Sequence, residues 1–478
     1  MHKWTVDTVV QIAKGELIGN GDLEVHGCII DSRQAQGGEM FFALPGEQVD
    51  GHDYIEAAWK KGAVLAVAEE KHFKENEKRH FIPPEGKALL LVKSVFTAFQ
   101  DLAQAWRLEL GVKVVGVTGS NGKTTTKDMI AAVLAQRFHV YFNKENHNNE
   151  LGLPLTVLNA PADTEVLVLE MGMRGLGEIK ALCDLAKPDI GVITNIGTTH
   201  LELLLTQERI TQAKWELIEA LPKEGVAIIN AEDSLSVLKA KNDLHPTRFY
   251  GLEGAFASPH IKGGKLRAWG ELGTTFDVNF ESQKATVNLP LPGSHNVLDA
   301  LAAIAVGTVF GVTLKEACVG LTELELSKMR LEVRQGVCGG ILINDVYNAN
   351  PVSMQASLQV LKERAGGNKT LAILGDMYEL GTSTESGHRE VGRTLAKLEV
   401  SNLITVGELA SEIAQGARMA GYSEDQIKVT SSREEAVTEA RELLALYGAG
   451  IWVLIKGSRG MKMEEITVQL EDQAYERK

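Results

Sequence analysis

The chain has 478 residues, with 49 Lys and Arg against 63 Asp and Glu, a formal net charge of −14. That length exceeds one hydrophobic core and leads to an expectation of about three domains. An acidic field of this size repels phosphate backbones, which argues against nucleic acid as a partner, and no apolar run reaches the length of a membrane span.

At the N-terminus, Thr5 is placed to cap a helix whose apolar face is Val6, Val9, Val10 and Ala13, so no secretory leader is read there. Strand-like runs at 28–30, 40–44 and 64–67 alternate with helical stretches such as 54–60. They make a small α/β unit over residues 1–90. A polar stretch, 69–87, closes with Pro83-Pro84-Glu85-Gly86 and marks the first boundary. The four cysteines, Cys28, Cys183, Cys318 and Cys338, have no C-x-x-C spacing and read as thiols of a reducing compartment. The expectation is a soluble, cytoplasmic protein.

A helix over 95–107 leads to the stretch on which the chain turns, GVTGSNGKTTTK at 116–127. An apolar run, 112–117, enters it as a buried parallel strand. Met129, Ile130, Val133, Leu134 and Phe138 leave it at helical spacing. Strand, Gly-rich turn, Lys, Thr and helix together cradle nucleotide phosphates. Gly119 and Gly122 let the backbone approach, and the amides of Ser120, Asn121 and Thr125 face the anion. Lys123 reaches the terminal phosphates, and the Thr124 hydroxyl holds Mg²⁺. The strict G-x-x-x-x-G-K-[ST] pattern would need glycine at 117, where Val stands; Gly116 comes one residue early. The alternative is a plain Gly-rich turn beside an exposed lysine.

Further βα units follow, with strands expected at 165–170, 189–195 and 225–230. Between 247 and 292 short alternating stretches suggest antiparallel strands flanking the main sheet, before a helix over 294–309. From 326 the alternation restarts, with strands expected at 341–345, 371–376, 403–407 and 451–456 and no second phosphate loop. The fold class is therefore α/β in three domains: residues 1–90, a central P-loop parallel sheet with a small antiparallel side sheet over 91–325, and a Rossmann-like doubly wound domain over 326–478.

Taken alone, several residues have two readings. Glu170 closes the strand VLVLE and is either an Mg²⁺ ligand or a solvated carboxylate. His200 is a lone histidine, more often structural than a ligand. Lys214, by spacing alone, is a helix-surface lysine.

Their order supplies more. T-G-x-N-G-K-T-T at 118–125 is followed by Glu170-Met171-Gly172, by Thr194-Asn195-Ile196 running to His200, and by Lys214 with Glu216. This series resembles the Mur ligases and their folylpolyglutamate synthase cousins. The resemblance implies a second Mg²⁺ served by Glu170, His200 and Lys214, with Lys214 carbamylated by CO₂ into an anionic ligand. Gly293-Ser294-His295-Asn296 resembles the adenine-contacting start of a helix, which implies a nucleotide role for Asn296. Relatives often carry a second Asn where this chain has Asp299, and nothing is carried over there. Arg330 and Asp345 match residues that reach across to ATP.

Asp31-Ser32-Arg33 followed by F-F-A-L-x-G and D-G-H resembles the uridine-diphosphate-binding domain of two Mur ligases. It implies that Ser32 and Arg33 lie near a diphosphate; locally they are an ordinary turn former and a surface cation. Asp345–Ser353, Leu374–Gly381 and Lys456-Gly457-Ser458-Arg459 resemble the branch that adds a terminal dipeptide, and so does 143–158 with Asn148 and Asn149. Substrate contacts are thereby implied for Asn148, Asn149, Asn348, Asn350, Lys456 and Arg459. The implied substrates are UDP-N-acetylmuramoyl-tripeptide and D-alanyl-D-alanine, joined by a monomeric enzyme through an acyl phosphate. A sister ligase adding one amino acid and, from another class, a nucleotide-binding regulatory module remain alternatives. ADP release that requires both a muramyl nucleotide and an amine separates them.

Overall fold

The computed structural model describes residues 4–46, 49–75, 82–144, 147–197, 204–269, 273–325 and 329–472. His200 lies outside the described residues, as do residues 326–328, where the third domain was expected to open. Three larger sheets organise the rest, beside a two-stranded antiparallel ribbon of Trp4–Thr5 and Glu24–Val25.

The first sheet runs in the order Glu16–Gly19, Ala88–Val92, Leu65–Glu69, Met40–Phe42, Cys28–Ile29; only the first pair is antiparallel. Thr5 caps the helix Val6–Ala13 as expected, accepting from the Thr8 amide. The strand Ala88–Val92 is an addition to the sequence reading. Its five residues are buried on both faces, so it carries no alternation to announce it.

The central sheet has nine strands. Their order is Gln283–Leu289, Gly273–Phe280, Ile261–Trp269, Thr247–Gly251, Val226–Asn230, Ile190–Ile193, Lys113–Thr118, Val166–Glu170, Val140–Phe142. The antiparallel strands expected between 247 and 292 continue this same sheet at its edge, because Tyr250 pairs in parallel with Ile261 before the chain reverses. The third sheet runs Glu332–Gln335, Ile341–Asn344, Trp452–Lys456, Thr370–Gly375, Asn402–Val406, Ile427–Thr430, again with one antiparallel pair at its edge.

One apolar core joins the first two sheets. Helix Val95–Leu110, capped by Ser94 and ended by left-handed Gly111, lays Phe99 against Phe42 and Trp106 edge-on against Trp4. On the opposite face of the central sheet, Val115 and Val117 pack with Met129, Ile130 and helix Ser294–Val309. The third sheet is covered on both faces by its own helices.

The strand Lys113–Thr118 lies where the winding reverses. The chain goes to Val140–Phe142, returns to Val166–Glu170 beside it, then crosses to Ile190–Ile193 on its other side. Ligands of open α/β sheets bind beyond the carboxyl end of such a strand.

Candidate active site

Gly119 and Gly122 adopt φ of 152° and 79° as the chain leaves the strand Lys113–Thr118. A side chain at either would collide, at 119 with Thr194 Oγ1 at 1.8 Å and at 122 with Asp299 Oδ1 at 2.6 Å. The loop between them is laced to the end of the neighbouring strand. Thr194 Oγ1 and Asn195 Nδ2 donate to the Asn121 carbonyl, and Asn195 Oδ1 accepts from the Asn121 amide. Ser120 Oγ accepts from the Gly197 amide at 2.8 Å. The T-N-I motif thus holds the loop open in shape, a role that the sequence did not announce.

Helix Lys123–Leu134 follows, with its first-turn amides aimed at the loop and Thr124 and Thr125 buried. Lys123 Nζ donates to the Gly119 carbonyl at 2.9 Å. Burial draws its ammonium below the ordinary lysine value; nearby Glu170 opposes that and Arg330 adds to it.

Glu170 is buried, and both of its carboxylate oxygens are engaged. Oε2 accepts from Thr124 Oγ1 and Oε1 from Asn148 Nδ2, each at 2.7 Å. Its backbone exchanges two hydrogen bonds with the Asn143 amide group, which fixes the end of the strand. The solvated reading of Glu170 is excluded by this burial. Thr124 Oγ1 also accepts from Arg330 Nη2 at 2.7 Å, and Asn350 Nδ2 donates to Asn121 Oδ1 at 2.6 Å. Two residues of the last unit therefore touch the phosphate loop.

Lys214 is 1% exposed, not a surface lysine. The helix Gln207–Glu219 turns that face inward because Ala213, Leu217 and Ile218 pack on the sheet. Burial first, then the charge of Lys123, holds its ammonium well below the ordinary lysine value. Asp299 accepts from Thr126 Oγ1 at 2.9 Å. Burial pushes its carboxyl up to about 7.

Other expected residues sit elsewhere or are committed locally. Asp345 is tied within its own unit: Oδ2 accepts from Lys456 Nζ at 2.5 Å and from Ser357 Oγ at 2.6 Å, and Oδ1 from the Leu331 amide. Lys456 donates further to the Asn348 carbonyl, and Asn348 itself is exposed. Arg459 is paired with Glu464. Asn149 caps the turn that opens helix Gly152–Leu158, and Asn350 caps helix Pro351–Ala365 besides reaching Asn121. Asn296 Nδ2 donates to the Pro292 carbonyl. In the first unit, Ser32 is buried, and exposed Arg33 grips Asp31 through Nε and Nη2. No described contact joins either to the phosphate loop.

Comparison with known proteins fits this arrangement. Residues 24–107 match the catalytic domain of the Mur ligase family, 117–307 the Mur ligase middle domain, and 329–459 the Mur ligase glutamate ligase domain. The UDP-N-acetylmuramoyl-tripeptide–D-alanyl-D-alanine ligase of Bacillus subtilis is 38% identical over 98% of this chain and 99% of its own length. This chain is a member of the Mur ligase family. The Escherichia coli ligase of the same name is 30% identical over 98% of each chain. Among solved Mur ligases, MurF from Acinetobacter baumannii superposes with a TM-score of 0.85 at 29% identity, covering 98% of this chain and 99% of that one. MurF from Thermotoga maritima, solved in complex with ADP, gives 0.76 at 29% identity over 95% and 99%.

Proposed function

We propose that this Mur ligase joins the terminal carboxylate of UDP-N-acetylmuramoyl-tripeptide to the amine of D-alanyl-D-alanine, with ATP giving ADP and phosphate. Support comes from relatives of that name matched along almost the whole chain. The observation that carries the chemistry is the convergence of Lys123, Thr124 and Glu170 with Arg330 from the last unit at the end of the central strand.

A carboxylate is a poor electrophile, so its oxygen first attacks the γ-phosphate and the amine then displaces phosphate from the acyl phosphate. Two anions must meet: at an effective dielectric of about 20 and a separation of ~4 Å, each pair of unit charges repels by about 4 kcal/mol. Lys123 and Arg330 bring positive charge to that meeting point. The loop amides, the Lys123 ammonium and the Arg330 guanidinium orient the phosphates; Asn350 holds the last unit against the loop. The exposed edge of Arg33 offers donors to the uridine diphosphate.

The donor set suits a hard cation: a threonine hydroxyl and a carboxylate lie in hydrogen-bonding contact at the loop. In this reading Thr124 and Glu170 would hold one Mg²⁺, and Lys214, as a carbamate, would hold a second together with His200. Bound there, the ions neutralise the phosphate charge. Burial favours the neutral Lys214 amine, which is the form that reacts with CO₂.

The enzyme is taken to act as a cytoplasmic monomer; among the described residues no helix is long and apolar enough to cross a membrane. ADP release tests the reading. The purified chain is offered the monopeptide nucleotide and lysine- and diaminopimelate-containing tripeptide nucleotides, each crossed with D-alanyl-D-alanine, D-alanine and D-glutamate. Turnover is expected only with tripeptide nucleotide and dipeptide together, and the better nucleotide identifies the third residue. Faster turnover with D-glutamate and a monopeptide nucleotide would overturn the assignment.

A further inference from the structure

Arg330 stands between two residues of unfavourable backbone. Met329 and Leu331 have φ of 65° and 49°, the left-handed region that side chains other than glycine seldom enter. Such conformations persist where their surroundings over-determine them, and they collect at functional positions. Three hydrogen bonds hold this one. The Tyr347 amide donates to the Met329 carbonyl, the Leu331 amide to Asp345 Oδ1, and the Met329 amide to Glu332 Oε2, each at 3.3 Å.

The side chain is held as well. The guanidinium carbon lies 4.1 Å from the centroid of the Tyr347 ring, within the range of a cation–π contact. Its Nη2 donates to Thr124 Oγ1. Its Nε is buried and makes no hydrogen bond among the described residues. A buried donor without a partner, at the mouth of a phosphate loop, is suited to an anion. The ring is half-buried and spends its face on the arginine, not on the apolar core of its own unit.

We infer that Tyr347 is a positioning residue: its ring and its backbone amide hold Arg330 extended from the strained turn, with the guanidinium fixed at the phosphate loop. Without the ring, the arginine recovers rotamers that point away from the loop, and nucleotide affinity falls. The inference rests on the proposed nucleotide site and adds to it a residue that lies within the Asp345–Ser353 motif but was given no role there. Tyr347 need not touch ligand, since it acts through Arg330.

The test is a double-mutant cycle on the full chain, read by calorimetric binding of the non-hydrolysable ATP analogue AMP-PNP with Mg²⁺. Tyr347→Leu removes the aromatic face and is expected to weaken binding about tenfold, equivalent to about 1.4 kcal/mol. Tyr347→Phe keeps that face and loses only the hydroxyl's hold on the guanidinium, so its loss is expected to stay well below that of leucine. In an Arg330→Leu background, Tyr347→Leu is expected to cost nothing more, because the residue it positions is gone. Equal losses from Tyr347→Leu in both backgrounds overturn the inference, as does a Tyr347→Phe loss as large as that of leucine. Unchanged binding in Tyr347→Leu overturns it too. Ligation by the wild type is measured in parallel. A chain that binds the analogue but does not ligate refutes the proposed reaction while the binding cycle still decides the role of Tyr347.

Discussion

Gly116 and Gly191 are register partners on the two adjacent central strands, and neither has a side chain to hold off the helix above them. A Cβ at Gly116 would lie 2.7 Å from Leu217 Cδ1; one at Gly191 would lie 2.9 Å from Ile218 Cδ1 and 3.2 Å from Leu217 Cγ. The helix Gln207–Glu219 therefore sits close on the sheet, and Lys214, one turn before these contacts, is carried in with it. Overfilling such a groove costs about 1–3 kcal/mol. Gly116→Ala/Gly191→Ala should lose stability of that order in urea unfolding. It should also lose more ADP-forming activity than a variant of matched stability made elsewhere in the core, because the helix that bears Lys214 is lifted. Full turnover in the double variant would show that the groove does not set that helix.

The Lys123 ammonium is spent on the Gly119 and Ser120 carbonyls of the loop. Lys123→Ala should therefore leave the unfolding midpoint near that of wild type while nearly abolishing ADP formation. Near-normal turnover would refute the phosphate-loop assignment.

Asp299 makes stability depend on pH. Its carboxyl titrates near 3.8 when exposed and at about 7 in the fold, raised by burial against the smaller opposing effects of Thr126 and Arg330. Between those values the folded chain holds a proton that the unfolded chain has released, so this group lowers stability progressively as pH rises from about 4 to about 7. Above that window the cost is complete, on the order of 4 kcal/mol. Asp299→Asn keeps an oxygen for the Thr126 hydroxyl and removes the cost. Its thermal midpoint should exceed that of wild type at pH 8, with the difference shrinking toward pH 4. Parallel pH profiles for the two proteins would contradict the burial argument.

How far the sequence spoke depended on how local each signal was. The strand–loop–helix at 113–134 was legible because its glycines, lysine and threonines are contiguous and their spacing has a physical purpose. The helix Ser294–Val309 was read to its ends. Ala88–Val92 was not, because it is buried on both faces and the Pro-Gly turn before it was read as a domain boundary, and neither was the four-residue edge strand Glu332–Gln335. Within the site, the pairing of Thr124 with Arg330 spans 206 residues, and nothing in the spacing of either foretells it. Asp345 shows the converse. A motif marked it for ATP; what no motif showed is that its carboxylate also accepts from Lys456, Ser357 and the Leu331 amide in the turn beside Arg330.

In the proposed reading, Lys214 ties stability to function in one side chain. Burial, with the charge of Lys123 added, depresses its folded pKa well below the 10.5 of the exposed group. In the interval between those values the unfolded chain binds the extra proton, so the cost of burying this lysine is fully present below the folded pKa and disappears above the unfolded one. Lys214→Met, which fills the space without charge, should raise the unfolding midpoint, most at low pH. Activity should move the other way. A carbamate ligand cannot form on methionine, alanine or arginine, so Lys214→Met, Lys214→Ala and Lys214→Arg should each lose orders of magnitude in ADP formation. Acetate or formate should partly restore Lys214→Ala by placing an oxygen in the vacated space, and should not restore Lys123→Ala, which lacks a cation. Labelled bicarbonate gives a direct check: wild type should show a ¹³C carbamate resonance that Lys214→Arg lacks. A fully active Lys214→Ala, or wild type without that resonance under conditions of full turnover, would refute the carbamate.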